Sequence, residues 1–152
     1  MAKRILWLDN DPAYLEPFIE TLTDEGYEVD VVATVAEAEQ CLADNKYDLL
    51  LLDVMIPTTN AQEEERYDPN LTKLGYKTGF LFYVLNKALF LRSGIRVLIM
   101  TVRLDRAIMD EFVNAGLERT HFATKYDLRD ANVFLAKIQS ILGEPKRTEN
   151  VA

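Results

Sequence analysis

Leu49-Leu50-Leu51-Leu52-Asp53 is the stretch on which the reading of this chain turns. Four consecutive apolar residues capped by a carboxylate read as a short strand buried on both faces. That is the pattern of a central strand in a parallel sheet covered by helices. The segments on either side must then supply alternating helices and strands.

Upstream the alternation is clear. Residues 5–8 form a short apolar run and open the first strand. Asp11-Pro12 reads as an N-cap followed by proline at the first helical position, and Tyr14, Leu15, Phe18, Ile19 and Leu22 follow at helical spacing. Residues 27–32 form a second strand. Thr34-Val-Ala-Glu37 is a capping box that opens a second helix, running to about Ala43. Downstream, residues 78–92 read as a third helix, apolar nearly all round, which needs cover on its outer face. Residues 97–100 form a fourth strand. A fourth helix spans 105–114, with Gly116 just past its end. A fifth strand covers 120–124 and a fifth helix 128–142. Between Pro57 and this third helix lie Thr-Thr-Asn, an acidic run at 63–65 and Tyr67-Asp68-Pro69-Asn70. Most of this segment, 58–77, reads as a long loop.

Five strands alternating with five helices imply an α/β parallel sheet covered on both faces, with right-handed crossovers; in a 2-1-3-4-5 order, strands one, three, four and five would be contiguous. One domain is expected over residues 1–143, with 144–152 as a polar tail. The chain has 152 residues, 49% of them hydrophobic and 28% charged, ordinary for a domain with a real core. Its net charge of −8, without a basic cluster, argues against nucleic-acid binding. The single cysteine, Cys41, rules out a disulfide within the chain, and with a single histidine, His121, excludes the common zinc sites. The apolar run after Met-Ala-Lys-Arg is too short for a signal-peptide core or a membrane span. A cytoplasmic protein is the expectation.

In such a sheet, ligands bind at the carboxyl ends of the strands. The residues arriving there are Asp9-Asn10-Asp11 after strand one, Asp53 after strand three, Thr101 after strand four and Thr124-Lys125 after strand five. Clustered carboxylates repel one another and favour a hard divalent cation such as Mg²⁺. A lysine and a hydroxyl beside them suit an aspartate that attacks phosphorus.

With those residues in view, the chain resembles a response-regulator receiver domain of two-component signalling. The resemblance is carried by Ile-Leu-Trp-Leu-Asp9-Asn10-Asp11-Pro12, Leu-Leu-Leu-Leu-Asp53-Val-Met-Ile-Pro57, Val-Leu-Ile-Met-Thr101 and Phe122-Ala-Thr-Lys125. It implies a flavodoxin-like doubly wound five-stranded sheet of order 2-1-3-4-5, in a stand-alone receiver with a lengthened loop after the third strand. Asp53 would be the phosphoacceptor. Asp9, Asn10, Asp53 and the Met55 backbone carbonyl would hold Mg²⁺. Lys125 would pair with the phosphate, and Thr101 and Phe122 would act as switch residues. The implied partners are a histidine kinase or phosphotransfer protein and a downstream protein target. No nucleic acid or membrane is implied, and a homodimer is compatible. Such a domain is a switch, not a turnover enzyme.

The sequence departs from that pattern at four places. Asn10 stands where an acid is usual. Val102 follows the switch threonine where a small residue is usual, and Tyr126 replaces the customary proline after the lysine. The segment 58–77 is the fourth departure. These support an alternative, a receiver-like interaction scaffold that has lost efficient phosphorylation. A remote alternative is a haloacid-dehalogenase-like phosphohydrolase with Asp9 as nucleophile.

Overall fold

The computed structural model describes residues 2–144. Strands β1 (Arg4–Leu8), β2 (Glu28–Val32), β3 (Leu49–Leu52), β4 (Arg96–Thr101) and β5 (Phe122–Thr124) form one sheet, in the order β2-β1-β3-β4-β5. All four pairings are parallel. The expected topology and strand order are therefore those observed. The helices are α1 (Glu16–Asp24), α2 (Val35–Asp44), α3 (Ala61–Arg66), α4 (Pro69–Thr72), α5 (Thr78–Ser93), α6 (Arg106–Asn114) and α7 (Ala131–Leu142).

Side chains alternate across a strand, so each face of the sheet builds its own core. Leu49 and Leu51 join Ile5, Trp7, Leu98 and Met100 on the face covered by α1 and α7. Leu50 and Leu52 join Leu6, Leu8, Val97 and Ile99 on the face covered by α2, α5 and α6. All four β3 leucines are fully buried. Each contributes about 1.5–3 kcal/mol relative to exposure, which is why this run nucleates the reading of the fold. Trp7 packs edge-on to Phe18 and stacks with Phe134, as expected of a core residue.

The number of helices corrects the expectation of five. The two additional ones, α3 and α4, lie in segment 58–77, which is folded and not a long loop. Asn60 caps α3 by accepting from the Glu63 amide at 2.9 Å, and Asp68 caps α4 by accepting from the Asn70 amide at 2.8 Å. Glu63, the first residue of the acidic run, is buried at 5% exposure. Its carboxylate accepts from the Thr59 hydroxyl, from the Thr59 amide at 2.8 Å and from the Ala36 amide at 3.1 Å. Thr34 already caps the Glu37 amide of α2, so Glu63 satisfies a second orphan amide at the same helix end. Arg66 clamps Glu39 on α2 with both carboxylate oxygens, and buried Tyr67 joins the core cluster that contains Phe82.

Cover for α5 is thus partial. Phe82, Tyr83 and Phe90 face the core, while Val84, Leu85 and Leu91 stay exposed. Gly79 fixes where this helix begins. A Cβ there would lie 2.1 Å from the Asp53 carbonyl oxygen and 2.8 Å from Val54 Cα. The Gly79 amide donates to the Val54 carbonyl at 2.9 Å, so α5 starts against the backbone that carries Asp53.

The first helix also starts differently from expectation. Pro12–Leu15 forms a 3₁₀ turn ahead of α1, and the Asp11 side chain makes no capping bond. Its backbone amide instead donates to Asp9 Oδ1 at 2.9 Å. The polar tail expected from residue 144 falls outside the described residues beyond Glu144. Glu144 itself is held, accepting from the Tyr27 hydroxyl at 2.8 Å.

Candidate functional site

Register brings the strand ends together. Leu8 pairs with Leu52, Leu52 with Ile99, and Thr101 with Thr124. The residues that follow are then neighbours. The Asp53 amide donates to the Leu8 carbonyl at 3.0 Å, and the Lys125 amide to the Thr101 carbonyl at 2.8 Å. Asp9, Asp53, Thr101 and Lys125 are 0, 4, 0 and 3% exposed. Buried ionisable residues at this level are rare unless paired, and here they are paired.

The Lys125 ammonium sits between the two carboxylates. Its Nζ contacts Asp9 Oδ2 closely and lies 3.4 Å from Asp53 Oδ2. The other oxygen of each acid accepts a backbone amide: Asp11 for Asp9, and Val54, at 2.7 Å, for Asp53. Burial pushes the Asp53 pKa up, and Asp9 adds to the rise. Lys125, the Val54 amide and Thr101 oppose it without cancelling it. The Thr101 hydroxyl is near enough to favour the Asp53 carboxylate electrostatically, yet it is buried with no well-formed hydrogen bond. A buried donor left in that state is ready to bond an oxyanion arriving at Asp53.

The acids are not equivalent. Asp53 lines a cavity of about 680 Å³ that opens to solvent, together with Asn10, Asp11, Met55 and Lys125. Asp9 does not line it, and its Oδ2 is in contact with Lys125. Of these two acids, Asp53 is the one that reaches the cavity. Phe122 is buried and packs edge-on to Phe112, so it occupies an inward position against α6. His121 has its Nδ1 3.0 Å from the Val97 carbonyl oxygen.

Donor chemistry at this site suits a hard cation, because Asp9, Asn10, Asp53 and the Met55 carbonyl all offer oxygen. Among the described residues no cluster of three or more His, Cys, Asp or Glu forms a cage. Mg²⁺ sites use few protein ligands and keep several waters, so the donor set fits that ion better than Ca²⁺ or a transition metal.

Part of the wall comes from residues that no strand-end motif marks. Tyr14, Pro57, Leu74, Gly75, Tyr76 and Val102 complete the lining of the cavity. Of these, Leu74–Tyr76 come from segment 58–77. The Gly75 carbonyl accepts from the Ile56 amide at 3.1 Å, pinning that turn over the strand that carries Asp53.

No family model matches the chain, and no curated protein matches it in sequence. Solved structures match it in fold over almost its whole length. A CheY-like response-regulator receiver domain from Methanospirillum hungatei JF-1 superposes with a TM-score of 0.69 at 26% identity, covering 94% of this chain and 95% of that one. This chain has the CheY-like receiver fold. The chemotaxis protein CheY4 of Vibrio cholerae gives 0.70 at 18% identity, covering 93% of this chain and 99% of that one. A response regulator from Thermotoga maritima gives 0.69 at 16% identity, covering 95% and 100%. Within the receiver fold, Asp53 stands at the strand end that the sequence analysis assigned to it. No helix among the described residues is long and apolar enough to cross a membrane.

Proposed function

We propose that this chain is a phosphoacceptor switch of a two-component phosphorelay, phosphorylated on Asp53. The observation that carries this reading is the position of Lys125 Nζ between Asp9 and Asp53, beside a cavity that only the second acid lines. Receiver domains as a class interact with histidine kinases or phosphotransfer proteins, and such a protein is the proposed donor. A downstream protein is the proposed target.

The residues divide the work as follows. Asp53 supplies the attacking oxygen. Lys125 neutralises phosphoryl oxygens as charge shifts onto them, which is the main help a protein can give this transfer. The Thr101 hydroxyl bonds one of those oxygens and thereby registers the modified state. Phe122, on the strand beside the one that ends in Thr101, packs against Phe112 of α6, and together they carry the change outward as a population shift. Asp9, Asn10, Asp53 and the Met55 carbonyl would hold Mg²⁺, which supplies further positive charge to the phosphoryl oxygens. A phosphohydrolase using Asp9 as nucleophile is disfavoured, because of the two acids that contact Lys125 only Asp53 lines the cavity.

Intact-mass analysis with phosphoramidate and Mg²⁺ tests the proposal. The native chain gains one phosphoryl group, and Lys125→Ala gains it at least about tenfold more slowly, as expected for loss of one electrostatic partner. Full folding with no mass gain in the native chain would instead support the interaction scaffold.

A further inference from the structure

Met55 lines the cavity, but its side chain is 39% exposed and does little to hold the chain in place. Its neighbours Val54 and Ile56 are buried, and their backbone is gripped by residues beyond segment 58–77 and within it. The Gly79 amide donates to the Val54 carbonyl at 2.9 Å, and the Ile56 amide donates to the Gly75 carbonyl at 3.1 Å. Met55 is thus fixed on both sides. Its own amide and carbonyl make no hydrogen bond among the described residues. A backbone carbonyl held still without a protein partner is an oxygen donor available to a ligand.

Gly75 is itself held by two buried hydroxyls. Thr72 and Thr78 are 1 and 0% exposed. Thr72 Oγ1 accepts from the Gly75 amide at 3.4 Å, and the Thr78 hydroxyl donates to the Gly75 carbonyl at 3.3 Å. The same carbonyl therefore receives both Thr78 and Ile56. Only glycine suits this point, because its φ is 98° and a Cβ would lie 3.3 Å from the Ile56 carbonyl oxygen and from Pro57 Cα. Lys73 and Leu74 ahead of it also have positive φ, 52° and 58°, a conformation that residues with a Cβ avoid. Bonds from the Leu74 amide to Pro69 and from the Lys77 amide to Thr72 hold the turn in that state. Strain that the surroundings over-determine beside a reactive carboxylate points to a positioning role.

We infer that Thr72 and Thr78 are positioning residues that, through Gly75 and Ile56, fix the Met55 carbonyl as a donor to a hard divalent cation. This rests on the Mg²⁺ reading of the phosphoacceptor pocket. Segment 58–77 then serves as the outer shell of one metal donor, and outer shells orient donors and tune metal affinity. The pocket depends on that shell because Asn10 offers a neutral oxygen where a second acid would add charge, which leaves more of the affinity to donor placement.

The test titrates the full chain with magnesium chloride in a calorimeter and follows amide exchange at Ile56 by NMR. Thr72→Val and Thr78→Val keep the side-chain shape and remove the hydroxyl. Each should weaken Mg²⁺ binding by about tenfold, the lower end for loss of outer-shell support, and should speed exchange at Ile56. Thr72→Ser and Thr78→Ser retain the hydroxyl and should retain the native affinity. Tyr27→Phe removes the bond to Glu144 at the opposite end of the sheet and should leave Mg²⁺ affinity unchanged. Thermal melts confirm that each variant is folded at the assay temperature. Native affinity in the folded valine variants would overturn the inference, as would equal weakening in the serine variants or in Tyr27→Phe. If the folded native chain takes up no Mg²⁺, the metal reading fails and the inference falls with it, a result distinct from native binding that the valine variants share.

Discussion

Replacing Glu63 by Gln removes one charge and changes almost nothing in shape, so its effect isolates the bonds that pin segment 58–77 to α2. The native carboxylate accepts from the Thr59 amide and hydroxyl through one oxygen and from the Ala36 amide through the other. A glutamine side chain has only one acceptor oxygen. If that oxygen faces Thr59, the side-chain NH₂ meets the Ala36 amide donor to donor. One charge-assisted bond is lost, and a helix-end N–H near the buried carboxylate is left unpaired, for a net cost of about 2 kcal/mol. For a chain of this size that lowers the melting temperature by about 4–8 °C. Burial alone would raise the Glu63 pKa, but the Thr59 and Ala36 bonds outweigh it and leave the value below the ordinary glutamate range. A depressed folded-state pKa gives stability that is present above the unfolded value and lost as pH falls through the folded one. Urea titrations of native and variant chains should therefore differ fully at pH 7 and converge only as the pH falls below the unfolded glutamate value and through the lowered folded one. A difference under about 0.5 kcal/mol at pH 7, the level of an ordinary surface substitution, would refute the buried-cap account. So would a gap that stays constant into acid.

Three further outcomes follow from the site. Gly79→Ala places a methyl group against the Asp53 carbonyl oxygen and Val54 Cα. It should cost about 3 kcal/mol or more in urea unfolding and displace the phosphoacceptor strand end. Asp53→Asn should raise the melting temperature at pH 7 by about 2–4 °C, because burial raises the folded pKa of this acid. An acid shifted upward destabilises the fold when ionised, so the gain fades as pH falls below the folded pKa and should be absent in acid melts. Asn10→Asp adds a charge to the cavity wall and should tighten Mg²⁺ binding by about tenfold in calorimetric titration, since ligand charge count tunes such sites. No tightening would place Asn10 outside the metal shell.

Where the sequence was legible, a strong local pattern matched the final environment. The β3 leucines, the Thr34 capping box and the order of strand ends were readable because burial, capping and sheet topology act through neighbouring residues. The cluster of Asp9, Asp53, Thr101 and Lys125 was legible, since each closes or directly follows a strand. Helices α3 and α4 were not legible. They are six and four residues long, too short for an apolar period to show. The burial of Glu63 was hidden because one of its partners, Ala36, is far away in sequence. Asp11 misled for the opposite reason: its Pro12 context promised a cap, but the 3₁₀ turn left the side chain free of that role. The placing of Leu74 and Tyr76 in the cavity wall depends on a left-handed turn that no residue type there announces except Gly75.

The most direct test of the central claim is chemical trapping of the phosphorylated residue. After reaction with phosphoramidate and Mg²⁺, borohydride reduces an aspartyl phosphate to homoserine, and peptide mapping locates it. The account predicts homoserine at position 53 in the native chain and none in Asp53→Ala. Homoserine at position 9, or label that persists in Asp53→Ala, would contradict it.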